Sequence, residues 1–156
     1  MSKRKIGQPK RKKTLSPKKI AVILGDPSKQ DLMKPSAIFD EDDFNTIDQL
    51  KLALEELQPE YEFTYLSDHE TLLKDLHKLQ GKVLFVLNLC DEGWNNIPTQ
   101  ELHIPAILEM LDIPYTGAGP QCLASCYDKS LVRGCAHEMG VPVPNGYFVA
   151  PEANVF

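Results

Sequence analysis

Short apolar segments alternate with helical segments along most of this 156-residue chain, and this alternation constrains the fold more than any other feature. The segment KVLFVLNLC at residues 82–90 is apolar almost throughout, as a strand covered on both faces should be. Strands that alternate with helices of about a dozen residues form a parallel sheet with right-handed crossovers. The sequence therefore predicts an α/β fold. The predicted strands cover residues 20–25, 62–66, 82–90 and 113–117, and a further strand starts within 141–149.

The helices predicted between these strands have recognisable starts and ends. Apolar residues recur at helical spacing over 43–58, which predicts an amphipathic helix that stops before Pro59. Ser67 and Glu70 have the spacing of a capping box and predict a second helix that runs to about Leu79. The other predicted helices cover 101–111, 119–126 and 128–140, with Asp128 at the start of the last and Gly140 at its end.

The net charge of −5 conceals two regions of opposite sign. Residues 1–19 contain nine Lys or Arg and no acidic residue, and they offer only two large aliphatic side chains to bury. We expect them to form a disordered basic arm, which is either a solvated tail or a nuclear address or nucleic-acid contact. The remaining residues are strongly acidic, which argues against a large nucleic-acid-binding face.

The composition indicates a cytoplasmic protein. No run approaches the roughly 18 apolar residues of a membrane span, and no apolar segment of a secretory signal follows the basic start. We therefore expect the four cysteines, which are Cys90, Cys122, Cys126 and Cys135, to be free thiols without a zinc-binding pattern. The sequence leaves open whether the protein forms a homodimer.

The candidate site lies where the predicted strands end, because ligands of parallel sheets bind beyond the carboxyl ends of the strands. Asn88 ends one strand and is followed at once by Asp91 and Glu92, which could hold a cation, orient an amine or move a proton, or could be ordinary loop acids. The segment YTGAGPQCLASCYDKS at 115–130 has a glycine pair, but its Pro120 removes an amide that a phosphate loop would use. We interpret the glycines as a turn and Lys129 as the residue suited to a phosphate.

Three segments of this chain, in the same order and spacing, resemble the D-alanine–D-alanine ligase family of ATP-grasp enzymes. They read LEMLDIPYTGAG, YDKSLVRG and MGVPVP, and the first strand KKIAVILGD also matches, so that the resemblance covers about residues 20–148. It implies that residues 20–120 form a Rossmann-like pre-ATP-grasp domain and that residues 121–156 start the ATP-grasp domain. It also implies that Lys129 contacts the phosphates of ATP, which with Mg²⁺ phosphorylates a carboxylate before an amine attacks the acyl phosphate.

Two loops depart from the pattern of that family. The first loop keeps Gly25 and Ser28 but has Gln30 where the family has a glutamate that engages the first D-alanine. In the second loop, Asn88 falls near a family histidine, and Glu101 falls near a family Glu-Asp pair. The resemblance therefore implies that Ser28, Asn88, Asp91, Glu92 and Glu101 bind an amino-acid or peptide carboxylate that need not be D-alanine.

The family's magnesium ligands and further lysines would lie beyond Phe156. We therefore expect this chain to be the N-terminal part of such a ligase and to be inactive alone, with a missing C-terminal part as its partner. Two alternatives remain open at this point: an independent α/β binding or interaction module on the same scaffold, and a nucleic-acid adaptor that uses the basic arm.

Overall fold

A computed structural model describes residues 18–32, 34–58, 60–147 and 149 of the chain. Within these residues the fold is a mixed α/β arrangement around a small parallel sheet, as the alternating pattern predicts. The strands are β1 (Lys18–Ile23), β2 (Tyr61–Leu66) and β3 (Phe85–Asn88). The helices are α1 (Glu41–Glu55), α2 (Leu72–Leu79), α3 (His103–Met110), α4 (Pro120–Tyr127) and α5 (Lys129–Glu138).

The sheet has the order β2-β1-β3, with β1 in the centre and parallel to both neighbours. The expected fourth strand at 113–117 is reduced to a single parallel bridge between Tyr115 and Val86. Pro114 accepts a bond from Val86 but has no amide hydrogen, and Gly117 turns the chain at a φ of 101°. Because the strands are parallel, the ends of β1 and β3, which precede the loops with candidate site residues, lie at the same edge of the sheet.

The main hydrophobic cluster lies on one face of this sheet, and Ile20 and Val22 on the opposite face of β1 are also buried. In that cluster, Ala21 and Ile23 of β1 pack against α2 and α3, whose Leu76 and Leu108 are fully buried. Replacing a leucine of this kind by alanine typically costs about 2–5 kcal/mol. Helices α1, α4 and α5, by contrast, contain no buried residue. The sheet packed against α2 and α3 therefore forms the support that positions the loops.

Helix α1 begins at Glu41, two residues before the start that its apolar pattern predicts, because polar side chains set its start. Asp40 caps the helix by accepting bonds from the amides of Asp42 and Asp43, and the Asp43 carboxylate bonds back to the Asp40 amide. Lys34 forms ion pairs with both carboxylates, which raises the pKa of the lysine and lowers the pKa of Asp40. The helix ends at Glu55, three residues before the predicted end, and Pro59 lies outside the described residues.

Three further predictions need correction. The capping box at Ser67 and Glu70 is wrong, because α2 starts at Leu72 and Asp68 instead accepts the Glu70 amide in a turn. No strand forms in the described part of 141–149, where two prolines interrupt the chain. Lys18 and Lys19 belong to β1 rather than to the basic arm, whose other residues, 1–17, lie outside the described residues together with 150–156.

The end of α5 is close to the prediction. Gly140 adopts a φ of 74°, its amide donates to the carbonyl of His137, and the next amide donates to the carbonyl of Ala136. This pair of bonds is the Schellman arrangement that a glycine after a helix allows. None of the helices in the described part of the chain is long and apolar enough to span a membrane.

Candidate functional site

The loop after β1 is held by a buried aspartate. The Asp26 carboxylate accepts bonds from the amide and hydroxyl of Ser28, at 2.9 and 2.6 Å, and from the amide of His69 at 3.0 Å. Burial raises the pKa of Asp26, but these hydrogen bonds outweigh it and the pKa is lowered overall. Ser28, a predicted substrate-binding residue, thus donates its hydroxyl to this turn and does not line the clefts that contain the other predicted residues.

A fully buried asparagine joins this loop to the loop after β3. The Asn96 side chain accepts a hydrogen bond from the Asp26 amide at 2.9 Å and donates one to the Asp26 carbonyl at 2.7 Å. It thus pairs both backbone groups of Asp26, as a neighbouring strand would. Its own backbone has a φ of 57°, a conformation that asparagine tolerates better than most residues. Asn96 therefore fixes the two strand-end loops relative to each other, a role that the sequence analysis missed.

His69 is a third buried connector. Its Nδ1 accepts the amide of Asn95 at 2.7 Å, so its Nε2 carries the ring hydrogen and donates to the carbonyl of Leu24 at 3.0 Å. The ring stacks on Trp94, with centroids 5.9 Å apart. The only sequence signal for this role would have been a lone histidine after a strand, because its partners lie 26 and 45 residues away.

Cys90 lies beside this histidine but has the wrong ionisation for a nucleophile. Its Sγ is 3.8 Å from Nε2 of His69 and 3.5 Å from the carbonyl of Gly93. Burial, followed by the neighbouring Glu92, raises the pKa of the thiol to about 12. The thiol stays protonated at neutral pH and acts as a small buried side chain.

Two of the predicted acids border a cleft between α1 and the ends of β1 and β3, which we name the α1 cleft. It has a volume of about 380 Å³ and is open to solvent on one side. Asp91 and Glu92 line it together with apolar side chains. The complete lining consists of Leu24, Gly25, Phe39, Asp43, Thr46, Ile47, Leu50, Leu89, Asp91 and Glu92.

Glu92 is held in an unfavourable environment. Its Oε2 is buried and has no hydrogen-bond partner, and its carboxylate rests directly on Gly25, where a Cβ would come within 2.6 Å of it. Burial raises the pKa of Glu92 to about 7, and the charges of Asp91 and Asp31 add to the effect. A side chain at position 25 would therefore require the Glu92 carboxylate to shift.

A second cleft, the strand-end cleft, brings three predicted residues together. Asn88, Asp91 and Glu101 line it beside Gly117 and other residues of the two loops, in a volume of about 330 Å³. The Asn88 amide donates to the Thr116 hydroxyl at 3.1 Å, which joins β3 to the glycine turn. Burial and the nearby Asp91 raise the pKa of Glu101. Asp91 therefore borders both clefts, so that they form one acidic edge.

Lys129 lies next along this edge. It shares a cleft of about 340 Å³ with Glu101, and a further one of about 280 Å³ with Arg133 and Tyr147. Asp128 caps α5 by accepting the amides of Ser130 and Leu131, at 2.8 and 3.1 Å. The helix amides are therefore engaged, and a phosphate here would be bound by the side chains of Lys129 and Arg133. Sequence reasoning missed Arg133, although one helical turn separates it from Lys129.

The chain was also compared with known proteins. No protein-family profile matches it. One stretch of 43 residues, 28% of this chain, is 42% identical to the uncharacterized protein y4sG of Sinorhizobium fredii (strain NBRC 101917 / NGR234). The stretch spans 13% of that relative's length, so this similarity does not establish a family.

Proposed function

We propose that this chain is the N-terminal, substrate-side part of an ATP-dependent carboxylate–amine ligase that resembles D-alanine–D-alanine ligase. In this proposal residues 20–120 form a Rossmann-like pre-ATP-grasp domain, and the ATP-grasp fold starts at 121. The observation that carries the proposal is the continuous edge along which Glu92, Asp91, Glu101 and Lys129 follow one another. An acidic region for an amine beside a cation for a phosphate is what such a reaction requires.

The side chains on this edge have separate roles in the proposal. Carboxylates at the strand ends orient the substrate's ammonium group by charge-assisted hydrogen bonds. Lys129 and Arg133 attract the phosphates of ATP, which supplies the phosphoryl group that activates the substrate carboxylate. Stabilisation of negative charge by fixed cations is the usual main contribution to phosphoryl transfer.

The described residues fit the two parts of Mg-ATP unequally. The lysine and arginine on α5 suit the phosphates, since both are exposed and face a common cleft. In the part of the chain that the structure describes, no group of three or more His, Cys, Asp or Glu side chains is arranged to hold a metal ion. We therefore propose that this chain binds the phosphates of ATP, and we assign none of its described residues to magnesium.

Binding of ATP to the purified chain tests the proposal. Lys129→Ala should weaken ATP binding by about 10- to 100-fold, which corresponds to the 1.5–3 kcal/mol of a hydrogen bond to a charged group. Lys82→Ala, which removes an exposed lysine in the turn after α2, is the matched control and should leave the affinity unchanged. Equal ATP affinity of the Lys129→Ala variant and the unmodified chain in an NMR titration would refute the assignment.

A further inference from the structure

Helix α4 contains two cysteines whose sulfur atoms are in contact. Cys122 and Cys126 are one helical turn apart, so their side chains leave the helix on the same side. Their Sγ atoms are 4.0 Å apart, and both residues are exposed free thiols. The two thiols therefore form a pair that molecules in solution can reach.

Core packing does not explain this pair. Cysteine is among the residue types that are buried most often, and Cys90 of this chain follows that tendency. Helix α4, in contrast, has no buried residue, so its cysteines contribute nothing to the core. The Cβ atoms of residues at this spacing are about 5–6 Å apart, which leaves room for two thiols to point away from each other. In this helix the sulfurs converge instead, and they present two sulfur ligands on one exposed surface.

The distance between the sulfurs favours a bridging ion over a direct bond. A disulfide needs an S–S separation of about 2.05 Å, so the two Sγ atoms would have to approach each other by about 2 Å. A tetrahedral ion with metal–sulfur bonds of about 2.3 Å holds two sulfurs about 3.8 Å apart. The observed separation of 4.0 Å differs from that value by only about 0.2 Å. The pair is therefore spaced to hold one ion between its sulfurs.

The protons of the two thiols leave when such an ion binds. The hydrogen bond with Cys126 raises the pKa of the Cys122 thiol, so Cys122 keeps its proton at neutral pH when no ion is bound. A divalent metal ion releases one proton from each thiol to the solvent and forms two metal–sulfur bonds. An arsenic(III) oxide group forms two As–S bonds, and its oxygen leaves as water with both thiol protons.

We propose that Cys122 and Cys126 together bind a thiophilic metal or metalloid ion through two sulfur bonds. The chain supplies two ligands, so this site differs from a closed structural zinc site, which has four protein ligands. Thiolate ligands select soft ions, whereas the carboxylates at the strand ends suit hard ions such as Mg²⁺. The site lies outside the proposed ligase reaction and does not depend on that proposal.

Titration of the reduced chain with Cd²⁺ and with phenylarsine oxide, in the absence of added thiols, tests this site. Each probe should bind in one equivalent, which the ultraviolet absorption of Cd–thiolate bonds and the intact mass of the arsenic adduct report. N-ethylmaleimide should then modify Cys135 but neither Cys122 nor Cys126, because only the two bridged sulfurs are protected. In NMR spectra the amide signals of α4 should shift, and those of the central sheet should not.

Serine variants measure the contribution of the second sulfur. Cys122→Ser and Cys126→Ser should each weaken the binding of both probes by about 100-fold or more, since the second bond of a two-point ligand forms intramolecularly. Cys135→Ser removes an exposed thiol from α5 and is the matched control, which should bind both probes as the unmodified chain does. Because all three residues are exposed, urea unfolding should show the same stability for these variants as for the unmodified chain.

A rearranged pair separates the effect of spacing from the number of thiols. The double variant Gln121→Cys and Cys122→Ser keeps two exposed cysteines on α4, but it places them about 140° apart around the helix. It should bind both probes as weakly as the single serine variants of α4. Three outcomes overturn the inference: the double variant binds as tightly as the unmodified chain, either single serine variant of α4 keeps full affinity, or the probes leave Cys122 and Cys126 open to N-ethylmaleimide.

Discussion

Replacing Glu92 by glutamine should make the protein more stable at neutral and alkaline pH. In the folded protein the pKa of Glu92 is raised from 4.5 to about 7 by burial and by the charge of Asp91. At about 1.4 kcal/mol for each pKa unit the shift corresponds to at most about 3.5 kcal/mol, and solvent screening of this partly exposed side chain reduces the cost of ionised Glu92 to about 1–2 kcal/mol. Glutamine has the same shape without the charge and removes this cost.

The sign of the pH dependence follows from proton linkage. Because the folded pKa lies above the unfolded value, the folded state binds the proton more tightly, and stability is lost as pH rises between about 4.5 and 7. The two proteins should therefore have similar free energies of unfolding near pH 4.5. Above pH 7 to 8 the glutamine variant should be more stable by about 1–2 kcal/mol.

Urea unfolding of both proteins at a series of pH values measures this difference directly. The difference between the two curves removes the contribution of other titrating groups, such as Asp26, which both proteins share. The matched Glu138→Gln variant should follow the unmodified protein at every pH, because that glutamate is exposed. If the two curves remain parallel from pH 4.5 to 8, the burial argument for Glu92 is refuted.

Two pairs of substitutions test the loop connection and the end of α5, again by urea unfolding. Asn96→Ala should destabilise the protein by about 2–4 kcal/mol, because the buried amide and carbonyl of Asp26 lose their hydrogen-bond partner. The control Asn45→Ala, on the exposed face of α1, should cost little. Gly140→Ala should destabilise by about 1 kcal/mol, since φ is 74° there, while Gly134→Ala inside α5 should stabilise by about 0.5–1 kcal/mol. A loss at Asn45 equal to that at Asn96, or the same sign at both glycines, would contradict these explanations.

The sequence predicted the α/β class and the approximate positions of the strands, because apolar periodicity reports which face of an element is covered. It predicted the lengths of the strands less well. The strand at 82–90 contracts to Phe85–Asn88, and the strand at 113–117 becomes one bridge, since hydrogen-bond partners rather than apolarity decide where a strand ends. The predicted capping box does not form for a related reason. The Asp68 carboxylate accepts the Glu70 amide in a turn that ends before α2 starts.

Residues at strand ends were the most predictable part of the site. Asn88 and Asp91 could be expected at the carboxyl edge of the sheet, and they line one cleft with Glu101, which only the family resemblance had indicated. Side chains that act across long sequence separations could not be found in this way. Asn96 contacts a residue 70 positions away, and the pattern of the loop that contains it indicates only a turn.

The carboxylates of Asp26 and Glu92 have opposite consequences for stability. The Asp26 carboxylate accepts hydrogen bonds from Ser28 and His69, and its pKa is lowered. Its contribution to stability is present above pH 3.8, the ordinary pKa of the group, and is lost as pH falls through the folded pKa. The Oε2 atom of Glu92 lacks a donor, and the cost of ionising Glu92 appears as pH rises from 4.5 towards 7. These two carboxylates therefore favour the fold most strongly between about pH 4 and 5. Above that range the ionised Glu92 carboxylate opposes folding, whereas the hydrogen bonds of Asp26 continue to favour it.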